Sequence, residues 1–378
     1  MTKKIKIVHI LNGDNFLKFV HPTFDLAEFD NKYLKLDLKN EETTSSNQSW
    51  DLIVPISETG KNKALELINS ADLVIHYFLD YTKSELILKS NPEVKHYWYF
   101  FGADVYQQIN VFRKNLYGKE TKKFMFWKWN LRFRNKLRWF KYKIIQRKAS
   151  PEEMFKKSLK RIENTLWYIP EEINFISKQI DLPKFEYFKY FNFKQVVPFD
   201  SPSVKCEELN IFVGNSSTIE NNHLDVLAGL KRVSDYNFNL GITLAYGDKD
   251  KYLNKVKKEF KKTFKERCTF FETFVSLDEY NQRMNNYPVA IMFHFRQQAL
   301  GNIIYMVANG TKMYLSHNNI VYLWLKNAGV RVGCFETEFE NDCKNDNLML
   351  SKEVQLENYN AIKLLLSKAT NFLNKIND

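Results

Sequence analysis

The sequence predicts an α/β fold of two successive Rossmann-like domains, each a parallel sheet covered by helices on both faces. Apolar runs of strand length alternate with helical patterns through both halves of the chain, as they do in parallel sheets. The length of 378 residues exceeds what one core comfortably holds, and a hydrophobic fraction of 44% excludes wholesale disorder. The alternation breaks once, at a polar stretch with two prolines over residues 196–208, which is typical of a linker.

The individual elements follow from these runs. Six strands are predicted in the first half, at residues 4–11, 52–56, 72–78, 96–102, 165–170 and 184–191. Five are predicted in the second half, at residues 209–214, 238–247, 269–274, 288–295 and 312–316. A final amphipathic stretch predicts a closing helix. The predicted organisation is an N-terminal domain at 1–196, a linker at 197–208, a C-terminal domain at 209–350 and a closing helix at 351–378.

Cysteine usage and hydropathy exclude several classes of protein. Cys206, Cys268, Cys334 and Cys343 show neither CxxC pairing nor a histidine at metal spacing, which predicts free thiols in a reducing compartment and no metal site. No stretch approaches the ~20 apolar residues of a membrane-spanning helix, and the N-terminus is typical of a first strand and not of a signal peptide. We therefore predict a cytoplasmic protein.

Polar residues follow three strands of the second domain. They are Gly214, Asn215 and Ser216, then Tyr246, and then Arg296, Gln297 and Gln298 with Gly301 and Asn302 just beyond. Ligands of such folds lie at the carboxyl ends of strands, where helix N-termini offer free N–H groups. The arginine fork and the two amides suit a diphosphate, and a glycine allows close approach of the backbone. The alternative is ordinary helix capping and a solvated turn.

Four stretches carry a resemblance to a known family. They read WYFFGADVYQ, IFVGNSSTIENNHLDVLAGL, FFETFVSLDEYNQRM and FRQQALGNIIYMVANG, in order over about residues 95–325. They resemble the bacterial 4-acetamido-4,6-dideoxygalactosyltransferases, which transfer N-acetylfucosamine from a dTDP donor to a polyprenyl-diphosphate-linked glycan in enterobacterial common antigen synthesis. The resemblance implies a GT-B fold, with two facing Rossmann-like domains and the donor nucleotide bound mainly by the C-terminal one.

The resemblance also assigns residues to roles. It implies that Gly214, Asn215 and Ser216 form a donor-binding turn and that Arg296, Gln297, Gln298 and Gly301 lie at the donor diphosphate. Apart from the resemblance, Tyr246 and Asn302 are also predicted to bind the donor. It places Glu272 and Phe274 near the nucleotide base, and Gly102, Ala103 and Asp104 in a turn of the acceptor domain. One position departs from the family pattern, because Ala299 stands where the family has glycine.

A transferase of the inverting type needs a general base for the acceptor hydroxyl, whereas a retaining one does not. Asp14, His76 and Asp104 lie at strand ends of the first domain. His76 sits in an apolar run and is better interpreted as a core histidine, so Asp104 and Asp14 are the catalytic candidates. The Asp248–Asp250 pair matches the Asp-x-Asp of metal-dependent transferases, but a helix cap explains it more simply.

One segment carries the charge of the chain. Residues 111–150 hold 14 Lys or Arg and one acid, a net of +13 in a chain whose total is +12, interleaved with ten aromatics. This pattern predicts a helix that binds an anionic membrane surface, with the following residues at the interface: Trp127, Trp129, Arg132, Lys136 and Trp139. Nucleic-acid binding and purely structural packing are the alternatives.

These observations favour a peripheral membrane glycosyltransferase on the inner face of the plasma membrane. It is predicted to be a hexosyltransferase without metal or cofactor, with a nucleotide-sugar donor, a lipid-linked glycan acceptor and no nucleic-acid partner. A nucleotide-sugar epimerase of the same fold is one alternative, but it would have no use for the basic segment. A basic nucleic-acid-binding protein is the other, and it would leave the polar strand ends unexplained.

Overall fold

The computed structural model describes residues 4–37, 50–128, 137, 140–145, 148–203, 208–247, 251–370 and 372–376. The chain divides into two compact units. Unit 1 consists of the described residues within Met1–Arg113, Asn135–Phe191 and Ala369–Asp378. Unit 2 consists of those within Lys114–Arg134 and Asn192–Lys368.

Unit 1 is built on a seven-stranded sheet in which every described strand pair is parallel, in the order β3-β2-β1-β4-β5-β6-β7. The strands are β1 Ile5–Leu11, β2 Phe29–Asp37, β3 Leu52–Pro55, β4 Leu73–Tyr77, β5 Lys95–Tyr99, β6 Ile162–Trp167 and β7 Lys184–Tyr187. The two central strands are buried along most of their length, because helices cover both faces of a parallel sheet.

Unit 2 is built on a six-stranded parallel sheet in the order β10-β9-β8-β11-β12-β13. Its strands are β8 Asn210–Val213, β9 Asn239–Thr243, β10 Cys268–Phe271, β11 Val289–Met292, β12 Lys312–Leu315 and β13 Gly333–Cys334. The order reverses between β8 and β11, and ligands of open parallel sheets bind beside such a reversal.

Helices connect the strands in both units. In unit 1 they are Leu17–Phe24, Glu58–Asn69, Tyr81–Lys89, Ala103–Tyr106, Asn110–Arg113, Pro151–Leu159, Pro170–Ser177 and Phe372–Ile376. In unit 2 they are Lys119–Lys128, Phe193–Val196, His223–Lys231, Lys251–Phe264, Leu277–Met284, Leu300–Ala308, Ile320–Asn327, Phe339–Lys344 and Lys352–Ser367. Short 3₁₀ turns lie at Asp14–Phe16, Ile219–Asn221 and Lys265–Arg267, and a π-helical turn at Lys141–Ile145.

The predicted fold class is confirmed: both sheets are parallel and Rossmann-like, and a C-terminal helix is present. All eleven predicted strands are found within a few residues of their predicted bounds. Two further strands, β2 and β13, were not predicted. β2 reads FDNKYLKLD, and its Asp, Asn and Lys residues are depleted in strands; β13 has only two residues, one of them glycine.

The structure divides the basic segment, which we expected to lie wholly in the N-terminal domain. Helix Lys119–Lys128 packs in unit 2, where the backbone N–H groups of Glu120 and Thr121 donate to the Asp225 carboxylate at 2.8 and 3.0 Å. The closing stretch is also divided. Helix Lys352–Ser367 belongs to unit 2, whereas Lys375 binds Glu186 of unit 1 at 2.7 Å.

Most helices of ordinary length begin with a side-chain cap, such as Ser57, Asp80, Ser150, Ser276 or Ser351. Two helices of unit 2 begin differently, His223–Lys231 and Leu300–Ala308. Their first residues follow Asn222 (φ 53°) and Ala299 (φ 55°), both left-handed, and neither of these two side chains caps its helix; the first N–H of His223–Lys231 donates instead to the Tyr252 hydroxyl at 3.0 Å. Both helices follow the two strands at the reversal of the sheet, β8 and β11.

Candidate active site

Polar residues converge where β8, β9 and β11 end, at one edge of the unit 2 sheet. We call this group the strand-end cluster; its members are Gly214–Thr218, Glu220, Asn221, Tyr246, His294 and Arg296–Gln298. Because β9 and β11 both pair with β8 in parallel, their carboxyl ends lie side by side. The three strand ends that the sequence predicted to act together therefore meet.

Gly214 opens the cluster and has to be glycine. Its φ of +68° lies in the left-handed region, and a Cβ there would come 2.8 Å from His223 Nε2 and 2.9 Å from Asn221 Oδ1. A side chain at this position would therefore clash with two buried polar groups.

A buried histidine holds the cluster together. His294 Nε2 lies 3.0 Å from Asn215 Oδ1 and 2.9 Å from Asn221 Oδ1. Two carbonyl oxygens need a donor between them, so Nε2 carries the proton. Burial lowers the pKa of His294 well below its ordinary value, and the charge of Arg296 acts in the same direction. The ring is therefore neutral at physiological pH.

The amide of Asn221 extends the network to the hydroxyl groups. It donates to Ser216 Oγ at 3.0 Å and to Thr218 Oγ1 at 2.8 Å. The amide of Asn215 donates to the Tyr246 hydroxyl at 2.8 Å. Tyr246 is 47% exposed, so one face of this buried network reaches the surface.

Arg296 is engaged by a carboxylate that the sequence did not point to. Its Nε and Nη2 atoms donate to Glu220 Oε2 at 2.7 and 2.5 Å, and its Nη1 donates to the carbonyl of Gln297 at 2.7 Å. The side chains of Arg296 and Glu220 are only 9% and 10% exposed. Glu220 therefore occupies the Nε–Nη2 edge of the guanidinium, and Nη1 fixes the loop that bears the two glutamines.

The two glutamines present acceptors. The side-chain oxygens of Gln297 and Gln298 are buried and have no hydrogen-bond partner among the described residues. The Gln298 amide nitrogen lies within 3.4 Å of Asn215 Oδ1 and Thr218 Oγ1, which orients the oxygen away from them. A buried oxygen without a hydrogen-bond partner is unfavourable, so a ligand that donates a hydrogen bond to it is bound more tightly.

The start of helix Leu300–Ala308 lies directly after the glutamines. No described side chain caps its first turn, and apart from the adjoining residues and backbone of its own helix no described atom lies within 4 Å of the place where a Cβ on Gly301 would be. Asn302 donates to the Tyr280 hydroxyl at 3.1 Å and is held by it. Ala299, which replaces the glycine of the resembling family, adopts the left-handed conformation that glycine favours.

Glu272 and Phe274, predicted near a nucleotide base, follow the edge strand β10. Glu272 forms an ion pair with Lys257 at 2.7 Å, and Phe274 is 80% exposed. Among the described residues, no hydrogen bond joins either of them to the strand-end cluster. Asp248–Asp250 lies outside the described residues.

In unit 1 the two candidate bases, Asp104 and Asp14, differ in their exposure to solvent. Asp104 is fully buried, and its carboxylate accepts hydrogen bonds from the Trp98 indole at 2.8 Å and from the backbone of Phe101 and Leu79. Burial raises the pKa of Asp104 to about 6, although these hydrogen bonds lower it. A carboxylate so enclosed holds the strand ends together and cannot reach an acceptor hydroxyl, so the geometry does not support the predicted role.

Asp14 remains accessible. Its side chain is 59% exposed at the carboxyl end of β1, where it accepts from Trp50 Nε1 at 2.8 Å and from Lys35 Nζ at 3.1 Å. His76 is fully buried and bonded to His96 at 3.0 Å, which confirms that it is a core histidine.

The residues predicted to bind a membrane lie largely outside the described part of the chain. Trp129, Arg132, Lys136 and Trp139 are outside it, and for Trp127 only the helical backbone is described. Exposed apolar side chains in the described part of the basic segment include Phe126 (76%), Leu137 (47%) and Phe140 (47%). No helix in the described part of the chain combines the length and apolar character needed to cross a bilayer.

Sequence reasoning missed Glu220, Asn221 and His294. Nothing in the pattern distinguishes His294 from the apolar run around it, and Glu220 and Asn221 look like ordinary helix-start residues. Glu220 and Asn221 lie near Arg296 only because β8 pairs with β11, and this pairing cannot be read from the sequence.

One family model matches the chain, over residues 153–363, more than half of its length. It is described as "4-alpha-L-fucosyltransferase glycosyl transferase group 56". The matched region includes the whole strand-end cluster. Among curated proteins, no sequence matches the chain.

Solved structures share the fold at low sequence identity. The N-terminal domain of Candida albicans trehalose-6-phosphate phosphatase is 10% identical with a TM-score of 0.65, over 100% of this chain and 97% of that one. A glycosyltransferase from Rickettsia africae is 12% identical with a TM-score of 0.63, over 99% and 97%. The apo lipopolysaccharide outer core galactosyltransferase WaaB is 10% identical with a TM-score of 0.56, over 98% and 99%. These similarities establish the GT-B type of fold.

Proposed function

Because the chain belongs to glycosyltransferase group 56, the family described as 4-alpha-L-fucosyltransferases, and is therefore a glycosyltransferase, we propose that it transfers an amino-deoxy sugar of the fucose type from a dTDP-linked donor. The proposed acceptor is a glycan on a polyprenyl diphosphate, in bacterial surface polysaccharide synthesis. The observation that carries this proposal is the strand-end cluster beside an uncapped helix start at the reversal of the unit 2 sheet.

The donor diphosphate is proposed to lie at the start of helix Leu300–Ala308. The first N–H groups of a helix have no partner within the helix, and the helix dipole favours an anion there. The open space at Gly301 lets phosphate oxygens approach the backbone closely. Gly214 and Ser216 form the neighbouring wall of the same site.

The donor sugar is proposed to be bound by Gln297 and Gln298. Their buried side-chain oxygens accept hydrogen bonds, so they suit sugar hydroxyls or the N–H of an acetamido group, and not phosphate oxygens. Arg296 then acts as a positioning residue, because Glu220 neutralises its charge and its Nη1 holds the Gln297 carbonyl. This replaces the direct diphosphate contact that the sequence suggested.

Asp14 is the proposed base for the acceptor hydroxyl if the enzyme inverts. Its carboxylate is exposed at a strand end, and the neighbouring Lys35 and Trp50 hold it in place. Asp104 is proposed to support the same edge of the unit 1 sheet from inside, through its hydrogen bonds to the residues after β4 and β5.

Membrane binding on the cytoplasmic face is proposed for the basic segment. The support is the net charge of +13 over residues 111–150 together with the exposed apolar side chains Phe126, Leu137, Phe140 and Ile144. Cations attract anionic headgroups, and exposed aromatic and aliphatic side chains add burial in the interface. A lipid-linked acceptor would be presented at such a surface.

The test is a matrix of donors and acceptors with the purified full chain. The dTDP-, UDP- and GDP-linked forms of 4-acetamido-4,6-dideoxygalactose and of fucose are combined with a polyprenyl-diphosphate disaccharide in anionic vesicles, and mass spectrometry follows the product. We expect the dTDP-linked acetamido sugar to be transferred fastest, and the free disaccharide to be a poor acceptor. Equal transfer to the free disaccharide would refute the lipid-linked acceptor, and transfer only from GDP-fucose would refute the donor.

A further inference from the structure

A second group of convergent side chains lies at the carboxyl ends of β12 and β13. These strands pair in parallel with Leu315 opposite Cys334, so residues two positions further along, His317 and Glu336, also face each other. The ligand atoms of His317, Cys334 and Glu336 all lie within 4.8 Å of one another. None of these three residues belongs to the strand-end cluster.

The spacing of these atoms matches a tetrahedral metal site. His317 Nδ1 lies 3.2 Å from Glu336 Oε1, and Cys334 Sγ lies 3.3 Å from Glu336 Oε2. Zinc bonds of about 2.05 Å to nitrogen, 2.1 Å to oxygen and 2.3 Å to sulfur, at tetrahedral angles, separate nitrogen from oxygen by about 3.4 Å and sulfur from oxygen by about 3.6 Å. Each observed separation lies within a few tenths of an ångström of its tetrahedral value, but the two involve different oxygens of Glu336, so binding through one oxygen requires the carboxylate to rotate.

The carboxylate between the other two ligands is already fixed. The Ser316 hydroxyl donates to Glu336 Oε1, and the backbone N–H of His317 donates to Oε2 at 3.3 Å. Such partners orient the ligands of metal sites. Asn318 Nδ2 lies 3.1 Å from His317 Nε2 and donates to it in the metal-free protein; once Nδ1 binds a metal and Nε2 carries the proton, the Asn318 amide turns so that its Oδ1 accepts that proton.

We propose that His317, Cys334 and Glu336 bind one Zn²⁺ ion with an open fourth position. A thiolate and an imidazole select a borderline-soft ion such as Zn²⁺ and disfavour Mg²⁺ or Ca²⁺. Cys334 is buried, whereas His317 and Glu336 line a groove of about 1200 Å³ in unit 2. The fourth position therefore faces this groove and takes water or an oxygen of an anionic ligand.

This site could not be predicted from the sequence, because His317 follows β12 whereas Cys334 lies in β13, and the two follow no metal-binding spacing. The same three side chains without a metal form a hydrogen-bonded chain, in which thiol and imidazole both donate to the carboxylate. Zinc displaces the Cys334 thiol proton, while the His317 proton moves from Nδ1 to Nε2, so binding releases a proton and weakens as pH falls. Metal binding by itself therefore separates the two cases, independently of glycosyl transfer.

The experiment is titration of the metal-free full chain with Co²⁺, followed by displacement with Zn²⁺. We expect one Co²⁺ per chain with a thiolate-to-cobalt charge-transfer band and tetrahedral d–d bands, all lost when Zn²⁺ displaces Co²⁺, and no response to Mg²⁺. Cys334→Ser should abolish the charge-transfer band, and His317→Ala should weaken metal affinity at least about 100-fold. Ser316→Ala should weaken it about tenfold, the effect expected of a residue that orients a ligand.

Cys343→Ser is the matched control, because Cys343 and Cys334 are both only 3% exposed and Cys343 lies outside the group. If Cys334→Ser does not fold, His317→Ala serves instead, because the His317 side chain is 57% exposed and its loss leaves no cavity. Absence of a charge-transfer band in the parent, or its persistence in Cys334→Ser, would overturn the proposal. A band that Cys343→Ser removes would also overturn it.

Discussion

The buried pair of Arg296 and Glu220 gives the sharpest prediction, because two accounts of Arg296 lead to opposite results. If Arg296 grips the donor diphosphate, then removing Glu220 frees its guanidinium and donor affinity is kept or rises. If Arg296 positions the glutamine loop, as its three hydrogen bonds indicate, then Glu220→Ala and Arg296→Ala should weaken donor binding alike.

The magnitude follows from the burial of the pair. Both side chains are about 10% exposed, and removing one partner leaves the other charge buried without compensation. We expect each alanine variant to lower the free energy of unfolding by about 3–5 kcal/mol. The double variant should lose less than the sum, with a coupling energy of up to about 3 kcal/mol.

Arg232 and Glu340 provide the matched control. Their Nε–Oε2 distance is also 2.7 Å, but their side chains are 52% and 34% exposed. Exposed pairs contribute at most about 1 kcal/mol, so Arg232→Ala should change stability little. Urea unfolding gives the stabilities, and calorimetric titration with dTDP gives the affinities. A folded Glu220→Ala variant that binds dTDP as tightly as the parent would refute the positioning role.

Further predictions concern four single residues. Ala299→Gly should raise the free energy of unfolding by about 1 kcal/mol, since Ala299 has a φ of 55°, and a loss of stability in thermal unfolding would contradict this. Asp14→Asn should lower turnover about 100-fold or more with dTDP affinity kept, and parental turnover in this variant would exclude Asp14 as the base. Asp104→Asn should lower the free energy of unfolding by about 1–3 kcal/mol, because the new amide group would face the N–H donors that now bind the carboxylate. Burial lowers the pKa of His9 from 6.5 to about 4, so its contribution to stability is present above pH 6.5 and is lost as pH falls toward 4, by up to about 3 kcal/mol. Relative to a folded His9→Gln variant, the parent should therefore lose more stability between these pH values, and equal losses in urea unfolding would contradict the assignment.

The sequence predicted where the site lies better than it predicted what each residue does. Polar residues at the carboxyl ends of neighbouring parallel strands lie at one edge of the sheet, and Asn215, Tyr246 and Gln298 are joined as that argument requires. Side-chain direction is not contained in such a pattern. Asp104 follows a glycine turn that suggested access to an acceptor, yet its carboxylate points inward to Trp98.

Contacts between residues distant along the chain could not be predicted from the sequence either. Glu220 meets Arg296, and Cys334 meets His317, only because β8 pairs with β11 and β12 with β13. Strands that are short or rich in polar residues were also not predicted. β2 contains Lys and Asp residues whose apolar neighbours alone face the core, and β13 is too short to show any periodicity.

The most direct test of the proposed donor site is the Gly301→Ala variant, measured for both stability and nucleotide binding. Apart from the adjoining residues and backbone of its own helix, no described atom lies within 4 Å of the added methyl group. Alanine favours a helix over glycine by about 1 kcal/mol, so the variant should be at least as stable as the parent. The methyl group should nevertheless occupy space that the donor diphosphate needs, and calorimetric affinity for dTDP should fall at least about tenfold. Unchanged dTDP affinity in a stable Gly301→Ala variant would contradict the placement of the donor at the start of helix Leu300–Ala308.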